Sequence, residues 1–233
     1  MYILHIANKN YSSWSLRPWV LMRVLGIAFD EQVTPFVAGS NAERFGRFSP
    51  NGKVPCLVDR GTAVWDSLAI AEYLAERHAG VWPADAGARA WARCAAAEMH
   101  SGFAALREHC SMSCGVRVRL HELPPDAGAE LRGNLDRLQQ LWSDGLARFG
   151  GPYLAGAAFT AVDAFFAPVA FRIQTYGLAI DGPAGAYAAR LLALPAMRQW
   201  YEEALREPWR DESHDAAIRA AGVGLADLRA PAA

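Results

Sequence analysis

At Gly80-Val81-Trp82-Pro83 the chain changes texture, and that change constrains its fold more than any other feature. Before it, short apolar runs alternate with amphipathic stretches. After it, alanine-rich helical periodicity takes over and strand-like alternation is absent to the end. A chain of 233 residues, 52% of them hydrophobic, has apolar surface enough for one large core or two ordinary ones. The break therefore predicts a first domain over residues 1–80, a linker over 81–88 and an all-helical domain over 89–233.

In the first half, Ile3, Leu4, His5 and Ile6 suggest a buried strand within Tyr2 to Ala7, followed by a turn at Asn8 to Tyr11. Leu16, Trp19, Val20 and Val24 then recur at helical spacing from Ser15 to Leu25, with serines ahead as caps and Gly26 as a stop. Phe29 to Val33 fits a second strand. Val54 to Val58 and Ala63 to Trp65 flank Asp59-Arg60-Gly61, a compact hairpin signal, and Ser67 to His78 reads as a helix. A right-handed crossover makes strand two parallel to strand one. This order resembles a thioredoxin-like domain, so the expected fold class is an α/β thioredoxin-like N-terminal domain followed by an all-α helical bundle.

The second half carries one apolar stripe at Trp91, Ala95, Met99, Phe103 and Leu106 and another at Leu131, Leu135, Leu138, Trp142, Leu146 and Phe149. Thr160 and Asp163 make a Thr-x-x-Asp capping box ahead of Val162, Phe165, Phe166, Val169 and Ile173, and Pro168 should bend that helix. A last helix runs from about Pro195 to Leu205 and stops before Pro208. The alanine-rich tail after Asp215 is expected to be marginally ordered at best.

Charge and cysteine content narrow the function. Twenty-three basic residues against 24 acidic ones leave a net charge of -1, which favours neither nucleic acid nor an anionic membrane as partner. No apolar run approaches the roughly 18 residues of a membrane span, and the first residues lack a secretory signal, so a soluble cytoplasmic protein is expected. Cys56, Cys94, Cys110 and Cys114 contain no CxxC pair, and three of them fall in one helical-looking stretch. They read as reduced thiols, with neither a disulfide framework nor a metal site.

Three short signals in the first domain fall where a thiol cofactor would need them. Tyr11-Ser12-Ser13-Trp14-Ser15-Leu16-Arg17 lies at the exit of strand one. In Asn51-Gly52-Lys53-Val54-Pro55-Cys56-Leu57 a turn delivers a proline directly into a strand that should otherwise supply ladder hydrogen bonds. Asp66-Ser67-Leu68-Ala69-Ile70-Ala71-Glu72-Tyr73-Leu74 joins the final strand to a helix. Each has a plain structural explanation: helix caps among Ser12, Ser13 and Ser15, an edge-strand proline, and an N-cap. Their order and spacing within some sixty residues resemble the glutathione transferase family, in particular classes such as zeta, phi and tau that use a serine five residues before a helix-one arginine.

Counting back from Arg17, the resemblance selects Ser12 as the catalytic hydroxyl. It implies that Val54, beside a cis Pro55, pairs with the cofactor as an added strand, that Ser67 receives the γ-glutamyl carboxylate, that Asp66 faces the ammonium and that Lys53 is an anionic-ligand neighbour. Arg17 is a reasonable anionic-ligand neighbour too, but a solvated or paired surface charge is the commoner reading for both, and only Lys53 is kept as a contact. No base adjoins Ser12 in sequence, so covalent serine chemistry is unsupported; the hydroxyl can instead donate to a thiolate at the positive end of the helix. The implied activity is glutathione conjugation to a hydrophobic electrophile, without a metal, by a homodimer. The alternatives are glutathione-dependent isomerisation or disulfide and peroxide reduction, and, in another class, a non-catalytic interaction module. The family builds its second-substrate pocket from apolar second-domain residues; Met99, Phe103, Arg107 and Tyr176 are candidates, with a core role preferred. Two departures stand out: Asp66 occurs where glutamate is commoner, and Trp14 occurs where the zeta type has cysteine.

Overall fold

The computed structural model describes residues 1–231; the last two residues of the expected second domain lie outside it. The first half runs β1 (Tyr2–Ile6), α1 (Ser13–Val24), β2 (Phe29–Val33), α2 (Ala42–Gly46), β3 (Cys56–Asp59), β4 (Thr62–Trp65) and α3 (Ser67–Ala75). The strands form one mixed sheet in the order β2-β1-β3-β4. β1 and β2 are parallel, as the crossover rule requires, and the other pairs are antiparallel. Asp59 pairs with Thr62, leaving Arg60 and Gly61 as a two-residue loop in which both residues take positive φ, 48° and 86°. That is the geometry whose twist suits a tight hairpin, and glycine supplies half of it without strain. Leu4, Ile6 and Leu57 bury one face of the sheet against Leu16, Val20, Ile70 and Leu74 of α1 and α3. The thioredoxin-like reading of this half agrees with the structure; only the short α2 was not anticipated.

The second half contains α4 (Ala86–Ser101), α5 (Ala104–His109), β5 (Val116–Leu120), α6 (Pro125–Phe149), α7 (Ala161–Tyr176), α8 (Gly182–Ala193), α9 (Pro195–Arg206), α10 (Glu212–Ala221) and β6 (Gly222–Asp227). Among the described residues no helix is long and apolar enough to cross a membrane. α7 is the central post, with Ala161 to Arg172 all buried; it packs on α1, α4 and α8 and continues through Pro168. Its start is set by the anticipated capping box: the Asp163 carboxylate accepts the Thr160 amide at 2.9 Å, the Leu154 amide at 3.1 Å and the Tyr187 hydroxyl at 2.8 Å. Burial still pushes the Asp163 carboxyl up to about 6.

Three expectations for this half need correction. The stripe from Trp91 to Leu106 does not lie on one helix, because Phe103 takes a left-handed conformation (φ 58°) and separates α4 from α5. Consequently Cys94 sits exposed on α4, Cys110 at the end of α5 and Cys114 in the following loop, so no helical stretch holds all three. Strands are also present: β5 alternates buried Val116 and Val118 with outward Arg117 and Arg119, a period-two pattern only five residues long. Finally, the tail holds regular structure through Asp227. β6 pairs antiparallel with β5, and at Gly222 a β-carbon would meet the Arg119 carbonyl oxygen at 2.2 Å, so the close pairing requires glycine. The tail's order comes from a partner strand a hundred residues upstream, which local sequence statistics do not report.

Candidate active site

The sheet register brings the three signals to one edge. His5 pairs with Cys56, and Cys56 with Trp65. One step beyond these pairs, the chain leaving β1, the Val54–Pro55 segment entering β3 and Asp66–Ser67 leaving β4 all emerge at the same end of the sheet. The Val54–Pro55 peptide is cis. Asp66 lies at φ 75°, ψ 134°, a conformation costing a non-glycine residue on the order of 1–3 kcal/mol, and such strain concentrates at ligand sites. Its Oδ1 caps α3 by accepting the Leu68 amide at 2.8 Å, while Oδ2 lies 3.5 Å from His100 Nε2. Ser67 is buried as the first residue of α3. Lys53 is exposed.

Ser12 occupies the N-cap position of α1 and is 5% exposed, yet its hydroxyl makes no capping bond. It donates instead to Ser15 Oγ at 2.7 Å, and Ser15 Oγ accepts the Ala7 amide at 3.3 Å. Among the described residues nothing accepts the amides of Trp14 or Ser15, so the first turn of α1 presents unsatisfied donors as well as its positive dipole end. Ser13 points to the second half, where Arg172 Nη2 lies 3.5 Å from its hydroxyl.

The turn that delivers Ser12 is held largely from the second half of the chain. Glu207, 7% exposed, accepts the Lys9 amide at 2.6 Å, the Asn10 amide at 3.2 Å and Asn10 Nδ2 at 3.3 Å. Trp200 Nε1 donates to the Lys9 carbonyl at 2.9 Å, and the Cys114 amide donates to the Asn10 carbonyl at 3.2 Å. The Tyr11 hydroxyl donates to Asp215 at 3.0 Å and accepts from Arg229 at 2.8 Å, which occupies it away from the cleft; burial raises its pKa. The braces from Glu207, Asp215 and Arg229 were invisible in sequence, since they belong to a segment read as a helix end and a loose tail.

Around Trp14 the site is cationic. Arg17 is 1% exposed, not the surface charge expected; its guanidinium lies 4.1 Å from the Trp14 ring centroid and donates to Ser67 Oγ at 3.3 Å. Arg107 of α5 sits 5.0 Å from the same ring, and Arg172 of α7 is buried beside Ser13. Burial, together with repulsion from Arg107 and Arg172, lowers the Arg17 pKa; burial and Arg107 bring Arg172 down to about 10. The His100 imidazole, edge-on to Trp14, is lowered by burial and by Arg17 and Arg107 against the opposing pull of Asp66.

Residues 11–77 match the family model of the glutathione S-transferase N-terminal domain, and residues 84–203 match that of the C-terminal domain. The chain belongs to the glutathione S-transferase family. Both of the family's domains are present in order, which assigns it to a class of transferase enzymes. Solved structures share the transferase fold at low identity. A glutathione transferase homologue from Burkholderia with bound glutathione is 22% identical, with TM-score 0.65, covering 87% of this chain and 97% of its own. The theta class transferase from Xanthomonas axonopodis pv. citri, also with glutathione bound, is 24% identical, with TM-score 0.63 and coverages of 86% and 96%. A tau class transferase from mango is 19% identical, with TM-score 0.68 and coverages of 86% and 92%.

Within this transferase, Ser12, Val54, Pro55, Asp66 and Ser67 converge on one sheet edge, and Lys53 stands at its solvent margin. Met99, Phe103 and Tyr176 are buried, Tyr176 donating to the Ser111 carbonyl at 2.9 Å, in keeping with the preferred core role. Arg107 is half-buried and donates to the carbonyls of Gly102 and Met99. The family's C-terminal model ends at residue 203, so Glu207, Asp215 and Arg229 hold the turn ahead of α1 from beyond it.

Proposed function

We propose that this chain conjugates glutathione to an electrophile, with Ser12 holding the cofactor's sulfur as a thiolate. The observation that carries the reading is the convergence of Ser12 at the start of α1, the cis Val54–Pro55 segment and Ser67 at the start of α3 on one sheet edge. The γ-glutamyl carboxylate would lie at Ser67 and the α3 amino end, the ammonium at Asp66, the tripeptide backbone against Val54, and Lys53 near its far carboxylate. Glutathione bound in the Burkholderia and Xanthomonas relatives supports this assignment.

Lowering a thiol pKa from about 8.5 to about 6.5 takes roughly 2.7 kcal/mol of preferential thiolate stabilisation. One charge-assisted hydrogen bond and a helix amino end with free amides can supply it. Ser15 makes the hydroxyl available: its oxygen already accepts the Ala7 amide, so its own proton can turn to Ser12, releasing the Ser12 proton to the sulfur. The thiol proton passes to solvent, sulfur forms the bond to the electrophilic carbon, and the leaving group departs with its electron pair. The same reading makes the protein a cytoplasmic homodimer.

Ser12→Ala tests it. The thiol of bound glutathione, followed by ultraviolet thiolate absorbance, should titrate about one pH unit higher with little loss of affinity. An unmoved titration removes Ser12 from the mechanism.

A further inference from the structure

Two buried cations elsewhere among the described residues are matched by acid. Lys9 pairs with Glu31 and Glu203, and Arg229 with Asp215 and Asp227. Buried Arg17 and Arg172 and half-buried Arg107 gather around one site without such a partner: among the described residues no carboxylate oxygen comes within 4.0 Å of any of their guanidinium nitrogens. Their partners are neutral, namely the carbonyls of Gly102, Met99 and Cys110 and the hydroxyls of Ser67 and Ser13. Arg17 Nε is buried with no partner at all. Arginine keeps its proton in proteins, and an uncompensated buried charge is strongly unfavourable, so the cluster is complete only with an anion. Asp66, partly solvated and facing His100, stands at its margin.

Resting on the transferase reading above, we propose that this cluster is the acceptor subsite and selects electrophiles that carry a carboxylate. The carboxylate sits among the three guanidinium groups, and the apolar body of the acceptor lies on Trp14. Arg17, which donates to Ser67, borders the glutathione site, and two features separate the rest of this subsite from it. Arg107 and Arg172 belong to α5 and α7 of the second half, whereas the tripeptide's own carboxylates are assigned to the α3 amino end and to Lys53. The cluster also gathers around Trp14 and Ser13, the residues immediately following Ser12, where the carbon under attack must lie. A guanidinium–carboxylate pair out of water discriminates strongly against a neutral analogue, because the unpaired cations remain desolvated when the analogue binds.

The test compares a chlorodinitrobenzene with its ring-carboxylate counterpart, each corrected for its uncatalysed rate; in both, the glutathione thiolate displaces chloride. Wild-type kcat/KM should favour the carboxylate by about 10-fold or more. In Arg107→Gln and Arg172→Gln that ratio should fall towards unity, and Arg107→Lys should recover part of it. Should a variant fold poorly, the wild type alone decides: a non-reactive dinitrobenzoate should compete with the neutral acceptor about 10-fold better than the corresponding amide. A wild-type ratio near unity overturns the proposal. So do arginine variants that lose glutathione affinity while keeping the ratio, which would assign the cluster to the tripeptide. Absence of glutathione binding in the wild type is a different failure and overturns the transferase mechanism itself.

Discussion

Removing Glu207 should loosen the turn that positions Ser12 although the two residues lie far apart in sequence. The carboxylate accepts the backbone amides of Lys9 and Asn10 and the Asn10 side chain, all buried. In Glu207→Ala two buried amides lose their acceptor at about 1–3 kcal/mol each. Relief of the buried carboxylate, whose pKa burial raises, offsets part of that loss. The net expectation is about 2–4 kcal/mol, a large share of the 5–15 kcal/mol typical of a folded domain. Glu207→Gln should fall about midway, because its oxygen can still serve Lys9 while its amide nitrogen meets the two Asn10 donors. Urea titration followed by tryptophan fluorescence gives the stability, and amide exchange at Lys9 and Asn10 localises the loss. A stability change under about 1 kcal/mol with both amides still protected would refute the idea that Glu207 braces the turn.

Two further outcomes follow from buried acids and hydroxyls. The Asp163 carboxyl is raised from 3.8 to about 6, so its contribution to stability is fully present below 3.8 and is lost as pH rises through 6, about 3 kcal/mol in all. The difference in unfolding free energy between wild type and Asp163→Asn, measured across that window, should change by this amount, and a flat difference would show the carboxyl to be unperturbed. Tyr11→Phe should cost about 1 kcal/mol by removing the hydroxyl between Asp215 and Arg229, and should leave the thiolate titration where it is. If that titration instead rises, Tyr11 rather than Ser12 holds the sulfur.

What could be read directly from the chain was what neighbouring residues decide. Asp59-Arg60-Gly61 carries its own turn geometry, Thr160 and Asp163 cap the helix that follows them, and the Ile3–Ile6 run forms a strand that buries Leu4 and Ile6. The placement of the three short signals was legible for the same reason, since each is a strand or helix end. Long-range pairing was not legible. Val116 to Leu120 is a strand because Gly222 to Asp227 lies beside it, and a five-residue Val-Arg alternation does not outweigh the helical background around it. Arg17 looked like a solvated charge because nothing nearby in sequence reveals that Trp14, Phe165 and Ser67 close over it. Phe103 breaks the apolar stripe through its backbone angle, and side-chain type alone does not encode that angle.

The C-terminal braces also bear on how the protein is made. Translation runs from the amino end, so the turn bearing Ser12 is made well before Glu207, Asp215 and Arg229, which hold it. The nascent sheet and α1 can assemble early, but the turn stays unbraced until those three residues have left the ribosome. A ribosome that stalls just before the Glu207 codon would therefore carry a chain with the sheet and α7 complete and without the groups that hold the Ser12 turn.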